Sequence, residues 1–210
     1  MQCRLCETRR ARRYCPAVRA DICPVCCGNE REVTLDCPLD CMYLQEARKH
    51  ERVPEEAGDG QFPNQDIRVT ESFINERQDL LIAIGGALAR AALETPGAVD
   101  SDAREALESL IRTYRTAQTG LVYETRPSNP IAGAIHERLQ LAFQEYREAV
   151  AQESGMHPVR DADILGVLAF LQRVGIRDSN GRRRGRAFID RLRGFLSPDK
   201  AAAPRPLIQI

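Results

Sequence analysis

The chain has 210 residues, with 30 basic and 30 acidic side chains and a formal net charge of zero. No global field drives such a chain onto nucleic acid or an anionic membrane, so binding to either would need a local patch. No run of about 18 apolar residues is present to span a membrane, and the N-terminus lacks the apolar core of a signal peptide. We expect a cytoplasmic protein outside the membrane.

The cysteines divide the chain. All eight fall between Cys3 and Cys41, and none follows. A chain without an export signal stays where thiols are kept reduced, which favours metal binding over disulfides. The segregation predicts a double zinc-binding, cysteine-rich module at residues 1–52, in which residues 40–52 form a helix.

The spacing of the cysteines is typical of zinc-binding modules. A C-x-x-C pair supplies two ligands from one tight turn, and eight thiolates complete two tetrahedral four-sulfur sites, which predicts two zinc ions. Two groupings are open, and both place Cys26 and Cys27 on different ions. In the first, Cys3, Cys6, Cys23 and Cys26 bind one ion, and Cys15, Cys27, Cys37 and Cys41 bind the other. In the second, Cys23, Cys26, Cys37 and Cys41 share one ion, and Cys3, Cys6, Cys15 and Cys27 share the other.

The chemistry of these ligands indicates a structural metal. A catalytic zinc keeps one position open for water, whereas here thiolates alone close both shells. The few apolar side chains of residues 1–52 are too small a set for a stable core, so metal binding has to replace that core. An iron-sulfur cluster is the alternative, although the C-x-x-C-x-x-C run of ferredoxins is missing.

The N-terminal motifs resemble a known family of zinc fingers. Cys3-x-x-Cys6, the segment Tyr14-Cys15-Pro16 and the later cysteines that lead into a helix are similar to the HIT and MYND cross-brace, or treble-clef, fingers. Val18 stands where those families have a further cysteine. The resemblance implies a docking platform for a protein partner. The whole chain also resembles bacterial proteins of unknown function, which implies no activity.

Beyond the module, the pattern changes twice. Residues 53–66 are polar and rich in turn formers, which predicts a linker. Helical periodicity dominates residues 67–197 and predicts an all-α domain, and residues 198–210 predict a flexible tail.

The helical domain is predicted to be a bundle of five amphipathic helices. Gly85-Gly86 in the first of them predicts a close helix crossing. The expected boundaries are a Thr70 cap to before Pro96, a Ser101 cap to about Leu121, Asn129-Pro130 to Gly155, residues 161–174 terminated by Gly175, and residues 184–196.

Two arginine clusters are candidates for anion binding. Guanidinium groups and free backbone amides beside a helix N-terminus can bind phosphate, or they can pair with neighbouring acids in a solvated loop. The first cluster is Arg182, Arg183, Arg184 and Arg186, followed by Arg191 and Arg193; the second is Arg9, Arg10, Arg12 and Arg13, whose charge offsets the negative zinc-thiolate sites.

These features predict a zinc-stabilised protein-interaction protein, adaptor or regulatory, that is not an enzyme. No nucleophile–base pair, phosphate loop or open metal site is apparent in the sequence. The alternative is a nucleic-acid-binding regulatory protein that uses the arginine clusters around the zinc module and residues 182–193. Because no Trp is present to stack on bases, such binding would be nonspecific and sensitive to salt.

Overall fold

The protein is mostly helical. The structure is a computed structural model that describes residues 1–51, 62–121, 123–154 and 159–196. Its elements are the strands β1 (Arg13–Cys15) and β2 (Ala20–Ile22), then the helices α1 (Pro24–Glu30), α2 (Met42–Arg48), α3 (Glu71–Glu76), α4 (Gln78–Glu94), α5 (Asp100–Gln118), α6 (Pro130–Ser154), α7 (Asp161–Arg177) and α8 (Ala187–Leu192), followed by a 3₁₀ turn at Arg193–Leu196. The predicted helical bundle is confirmed.

The module and the bundle each have their own hydrophobic cluster. The large cluster joins α4, α5, α6, α7 and α8, and α7 packs mainly against α5. The small cluster lies within residues 3–44, and its buried members other than cysteine are Ile22, Leu35 and Leu44. Leu39 belongs to the N-terminal module in sequence, but its side chain packs in the large cluster of the bundle. The module therefore has little apolar core of its own and shares one side chain with the bundle.

The first predicted helix is two helices. Thr70 caps α3 as expected, since its hydroxyl accepts a hydrogen bond from the Phe73 amide at 3.1 Å. The helix then breaks at Arg77, whose side chain pairs with Asp163 of α7 at 3.3 Å. The break lets α3 leave the axis of α4 and place the Phe73 ring against Gly166.

Three expected helix boundaries were wrong. Ser101 is not a cap, because α5 begins at Asp100 and the Asp102 carboxylate accepts the Val99 amide at 2.9 Å. Gly175 lies inside α7 and is buried, where the missing Cβ makes room for the Phe188 ring. The last helix begins at Ala187 rather than at residue 184, since residues 180–186 form a loop with long-range contacts. Gly155 lies outside the described residues.

Other expectations at the helix boundaries hold. The Asn129 side chain accepts a hydrogen bond from the Ile131 amide at 2.9 Å at the start of α6. Gly85 of α4 lies against the Phe195 ring of the 3₁₀ turn, where a Cβ would be 3.0 Å from the ring carbons. Gly85 is thus closely packed, but against a ring of this turn and not at a crossing with another α-helix. None of the helices in the described part of the chain is long and apolar enough to cross a membrane.

The predicted linker is described only at its end. The Asn64 side chain donates to Gln172 of α7 at 2.9 Å, and Arg173 donates to the Asn64 carbonyl at 3.0 Å. These contacts fix the entry to the bundle. Most of the linker, residues 53–61, and the predicted tail lie outside the described residues.

Two glycines in helices provide a matched stability test. A Cβ on Gly166 would lie 2.5 Å from the Phe73 ring, whereas a Cβ on Gly133 of α6 would meet nothing within 4 Å. We expect Gly166→Ala to destabilise the protein by about 1–3 kcal/mol through overpacking. Gly133→Ala should instead stabilise it by about 0.5–1 kcal/mol, because only the helix propensity changes. Denaturant unfolding measures both, and the same sign for the two changes would contradict the Phe73–Gly166 packing.

Asp100 connects α5 to α8. Its buried carboxylate accepts the amides of Phe188 and Ile189 at 3.1 and 3.0 Å, and so caps α8 from another helix. Burial, with the nearby Glu32 carboxylate, raises the pKa of Asp100 from 3.8 to about 6, although the two amides act in the opposite direction. The folded state thus binds this proton more tightly than the unfolded chain.

This shift predicts a pH dependence of stability. The contribution of Asp100 is fully present below pH 3.8 and is lost as the pH rises through 6. Between about pH 5 and 7.5 the loss should be roughly 1–1.5 kcal/mol. Unfolding of the wild type and of Asp100→Asn at both pH values isolates this contribution, because the pH effects of all other groups are common to the two proteins. A wild-type slope parallel to that of the variant would contradict the raised pKa.

Candidate metal centre

The first pair of clustered cysteines lies in a tight turn at the N-terminus. The Cys3 amide donates to the Arg9 carbonyl at 2.8 Å, so the chain before the turn pairs with the chain after it. Within the turn, the Glu7 amide donates to the Cys3 carbonyl at 2.8 Å, and Glu7 adopts a positive φ of 55°. This left-handed residue lets the chain reverse directly after Cys6.

The second pair lies at the start of α1. The antiparallel β1–β2 hairpin, in which Cys15 pairs with Ala20, leads the chain to Cys23. The Cys23 sulfur caps α1 by accepting the Cys26 amide at 3.4 Å, and Pro24 occupies the first helical position. Proline suits this position because the amide that it lacks has no partner in the first helical turn.

These two pairs form one tetra-cysteine group. The sulfur atoms of Cys3, Cys6, Cys23 and Cys26 all lie within 4.8 Å of one another, which is the arrangement that a single metal ion requires. Among the described residues, this is the one group of histidine, cysteine and acidic side chains with that geometry. It corresponds to the first of the two groupings that the spacing allows.

The environment of the four thiols favours a bound cation. Hydrogen bonds from the Thr8 side chain and amide and from the Arg9 amide lower the pKa of Cys6 to about 5. For Cys26 the hydrogen bond with Cys23 and burial raise the pKa to about 12. Four thiolates this close repel one another, and a divalent cation removes that penalty. The donor set of four sulfurs suits zinc.

The other four cysteines share a cavity. Cys15, Cys27, Cys37 and Cys41 line it together with Ile22, Leu35 and Leu44 of the small core. Burial raises the pKa of Cys37, and the neighbouring Cys15 and Cys41 act in the same direction. Cys41 lies at the N-cap position of α2, at the start of the helix as expected, but its side chain makes no capping hydrogen bond. The helix, Met42–Arg48, is shorter than the predicted residues 40–52. Unlike those of the first group, the sulfur atoms of these four cysteines do not all lie within 4.8 Å of one another.

The four arginines at positions 9, 10, 12 and 13 differ in their surroundings. Arg9 contacts the thiols of Cys23 and Cys6, which raises the pKa of the Arg9 guanidinium. Arg13 donates to the Cys27 sulfur at 3.6 Å and lies over the Tyr43 ring. Arg10 and Arg12 are both exposed. Two of the four arginines thus offset thiolate charge.

The arginine cluster at residues 182–186 contacts an acid of the protein itself. Glu32 is completely buried, with a φ of 52°. Its carboxylate accepts the Arg186 amide at 3.0 Å and the Asn180 side chain at 2.7 Å, and its carbonyl accepts the Arg184 amide at 2.8 Å. The Arg182 guanidinium donates to the carbonyl of Arg31 at 2.6 Å. The side chains of Arg183 and Arg184 remain exposed.

Glu32 also connects the bundle to the cysteines. Arg48 of α2 donates to its carboxylate at 2.8 Å and also pairs with Asp190 of α8. The Glu32 amide donates to the Cys37 thiol. Sequence reasoning missed this residue, because nothing in the local pattern distinguishes it from the neighbouring Glu30.

Comparison of the chain with protein-family models, curated proteins and solved structures finds no match.

Proposed function

We propose that this is a protein-interaction protein, adaptor or regulatory, whose N-terminal module is held by two structural zinc ions. The observation that supports it most strongly is the tetra-cysteine group, whose four sulfurs lie within 4.8 Å of one another. Four thiolates fill a tetrahedral shell and leave no position for a reacting water. The metal then stabilises a surface and performs no chemistry.

The second zinc binds Cys15, Cys27, Cys37 and Cys41. Their common cavity supports this assignment, as does the raised pKa of Cys37, to which burial contributes most and the neighbouring Cys15 and Cys41 add. The interleaved order of the two ligand sets along the chain is that of the cross-brace fingers to which the motifs are similar. Such a module lacks an apolar core, so metal binding and folding occur together.

Protein rather than nucleic acid is the proposed partner. Residues 180–186 already use the amides of Arg184 and Arg186 and the guanidinium of Arg182 for internal contacts with Arg31 and Glu32. The loop therefore offers a phosphate fewer free donors than its sequence suggests. A protein with these functions has no catalytic residue and acts in the cytoplasm.

Affinity purification from the native cells tests this function. The tagged wild type should retain a protein partner after nuclease treatment, and the partner should be lost with Cys23→Ser. Loss of the complex on nuclease treatment would favour the nucleic-acid-binding alternative. Retention of the complex by Cys23→Ser would contradict a role for the module. A gel shift across a salt series provides the direct measure of nucleic-acid affinity.

A further inference from the structure

One set of cysteines is connected to the bundle through Glu32. We call Cys15, Cys27, Cys37 and Cys41 the second set. The sulfur of Cys37 accepts a hydrogen bond from the Glu32 amide. The Glu32 carboxylate in turn accepts the Arg186 amide at 3.0 Å and the Asn180 side chain at 2.7 Å, both from the loop before α8. An ion that fixes Cys37 therefore also fixes the backbone of this buried acid.

Helix α2 provides another connection between the second set and the bundle. Cys41 lies at the N-cap position of this helix. At the other end of α2, Arg48 donates to Glu32 at 2.8 Å and pairs with Asp190 of α8. The side chain of Leu39, two residues before Cys41, is packed in the core of the bundle. The segment that carries Cys41 is thus held on the bundle on both sides of this cysteine.

Arg31 connects a third member of the second set to the same loop. Its guanidinium contacts the Cys27 sulfur at 3.9 Å, and its carbonyl accepts the Arg182 guanidinium at 2.6 Å. Arg182 also pairs with Glu51 of the module at 3.8 Å. Three of the four cysteines in the second set are therefore one or two contacts away from the bundle.

The tetra-cysteine group has different surroundings. The hydrogen bonds of its turns stay within the module, as do those from the Cys3 amide to the Arg9 carbonyl and from the Cys23 amide to the Cys3 sulfur. Among the described residues, the hydrogen bonds and ion pairs that join module and bundle come from Arg31, Glu32, Arg48 and Glu51. The contacts to the bundle thus adjoin the second set and not the first.

We propose that the metal ion bound by the second set controls the docking of the module on the bundle, so that docking depends on the availability of zinc. This deepens the proposed function and rests on it, because the second zinc is part of that proposal. Helix α2 has seven residues, and isolated helices shorter than about 12–15 residues are marginal in water. Without the ion, α2 and the segment before it lose the ligand bonds that hold Glu32, Leu39 and Arg48 in place for the bundle.

Such coupling is reciprocal. If the ion strengthens docking by some factor, docking strengthens metal binding by the second set by the same factor. The proposal can therefore be tested from the bundle, with every cysteine intact. Arg182→Ala and Asn180→Ala each remove one hydrogen bond between the loop and the module, and neither hydrogen bond involves a sulfur atom.

The rate at which each cysteine is alkylated measures this coupling. The full-length, zinc-loaded protein is treated with N-ethylmaleimide and a zinc chelator, and mass spectrometry follows each cysteine separately. We expect Arg182→Ala and Asn180→Ala to speed the alkylation of Cys37 and Cys41 by about tenfold or more. The rates at Cys3 and Cys6 should change by less than about twofold, because their group does not adjoin the bundle.

Two control variants separate undocking from other effects. Arg183→Ala removes the same charge from the same loop at an exposed side chain, and should leave all rates unchanged. Gly166→Ala disturbs the bundle where α7 meets the Phe73 ring, and should leave the Cys37 rate unchanged while the bundle is folded. An unchanged Cys37 rate in Arg182→Ala or Asn180→Ala, equal acceleration of both cysteine sets, or the same acceleration in either control would overturn the proposal.

Zinc content, measured on the same samples, distinguishes the failure of this proposal from that of the proposed function. Two zinc ions per chain, with alkylation rates that do not respond to Arg182→Ala, overturn the control of docking and leave the zinc-stabilised interaction protein standing. A second set that is alkylated as fast with zinc as without it would overturn the second zinc of the proposed function, and with it the control of docking.

Discussion

Replacing Cys23 with serine is expected to unfold the cysteine module while the bundle stays folded. Cys23 supplies a sulfur to the tetra-cysteine group, caps α1 and lies buried. A closed structural zinc site provides about 10–16 kcal/mol, which is as large as the whole stability of a typical domain, roughly 5–15 kcal/mol. With Ile22, Leu35 and Leu44 as its buried apolar residues other than cysteine, the module has nothing to replace that contribution.

Hydrogen exchange measured by mass spectrometry resolves the two parts of the chain. Amides of residues 1–51 should lose protection in Cys23→Ser, and those of α5 and α7 should keep it, because the large core is separate. Val25→Ser, in the same turn with an exposed side chain, should leave protection unchanged. Protected amides at β1 and β2 in Cys23→Ser would contradict the metal-dependent fold.

Replacing Glu32 with alanine is expected to destabilise the protein by about 3–5 kcal/mol. The substitution leaves the Arg48 guanidinium, the Asn180 side chain and the Arg186 amide without their buried acceptor. Unsatisfied buried donors and an uncompensated charge are among the costliest changes that a protein can undergo. The loop at residues 180–186 and the start of α8 should lose protection from exchange first.

Two further substitutions define the role of the carboxylate. Glu32→Gln keeps the shape and one acceptor oxygen, so its free energy of unfolding should fall between those of the wild type and Glu32→Ala. Glu46→Ala removes an exposed acid that pairs with Lys49, and should leave the unfolding midpoint unchanged. A loss of less than about 1 kcal/mol in Glu32→Ala would show that the module is not held on the bundle in this way.

The sequence predicts best where a property depends on residues close together in the chain. Each C-x-x-C turn supplies two ligands through its local geometry alone. The helices are predicted from the periodicity of the apolar residues. Thr70 and Asn129 cap their helices by accepting hydrogen bonds from amides only three and two residues further along the chain. The four cysteines whose sulfurs lie within 4.8 Å of one another form two C-x-x-C pairs, so all four could be identified from the sequence.

The boundaries that failed depend on distant contacts. Gly175 looked like a terminator, but it lies opposite the Phe188 ring and continues α7. The helix expected from residue 184 starts later because its first amides bind Glu32, which is 154 positions away from Arg186. For the arginine-rich loop, the sequence left open both anion binding and pairing with acids of the same chain. The contacts that the structure shows are to Glu32 of the same chain, and binding of an external anion stays a prediction.

Elemental analysis of the natively purified protein is the most direct test of the central claim that clustered thiolates fold this module around metal. It should find two zinc ions per chain, and treatment with a strong chelator should release both and expose residues 1–51 to exchange. Less than one zinc per chain, iron in its place, or a module that keeps its protected amides after the metal is stripped would contradict the account.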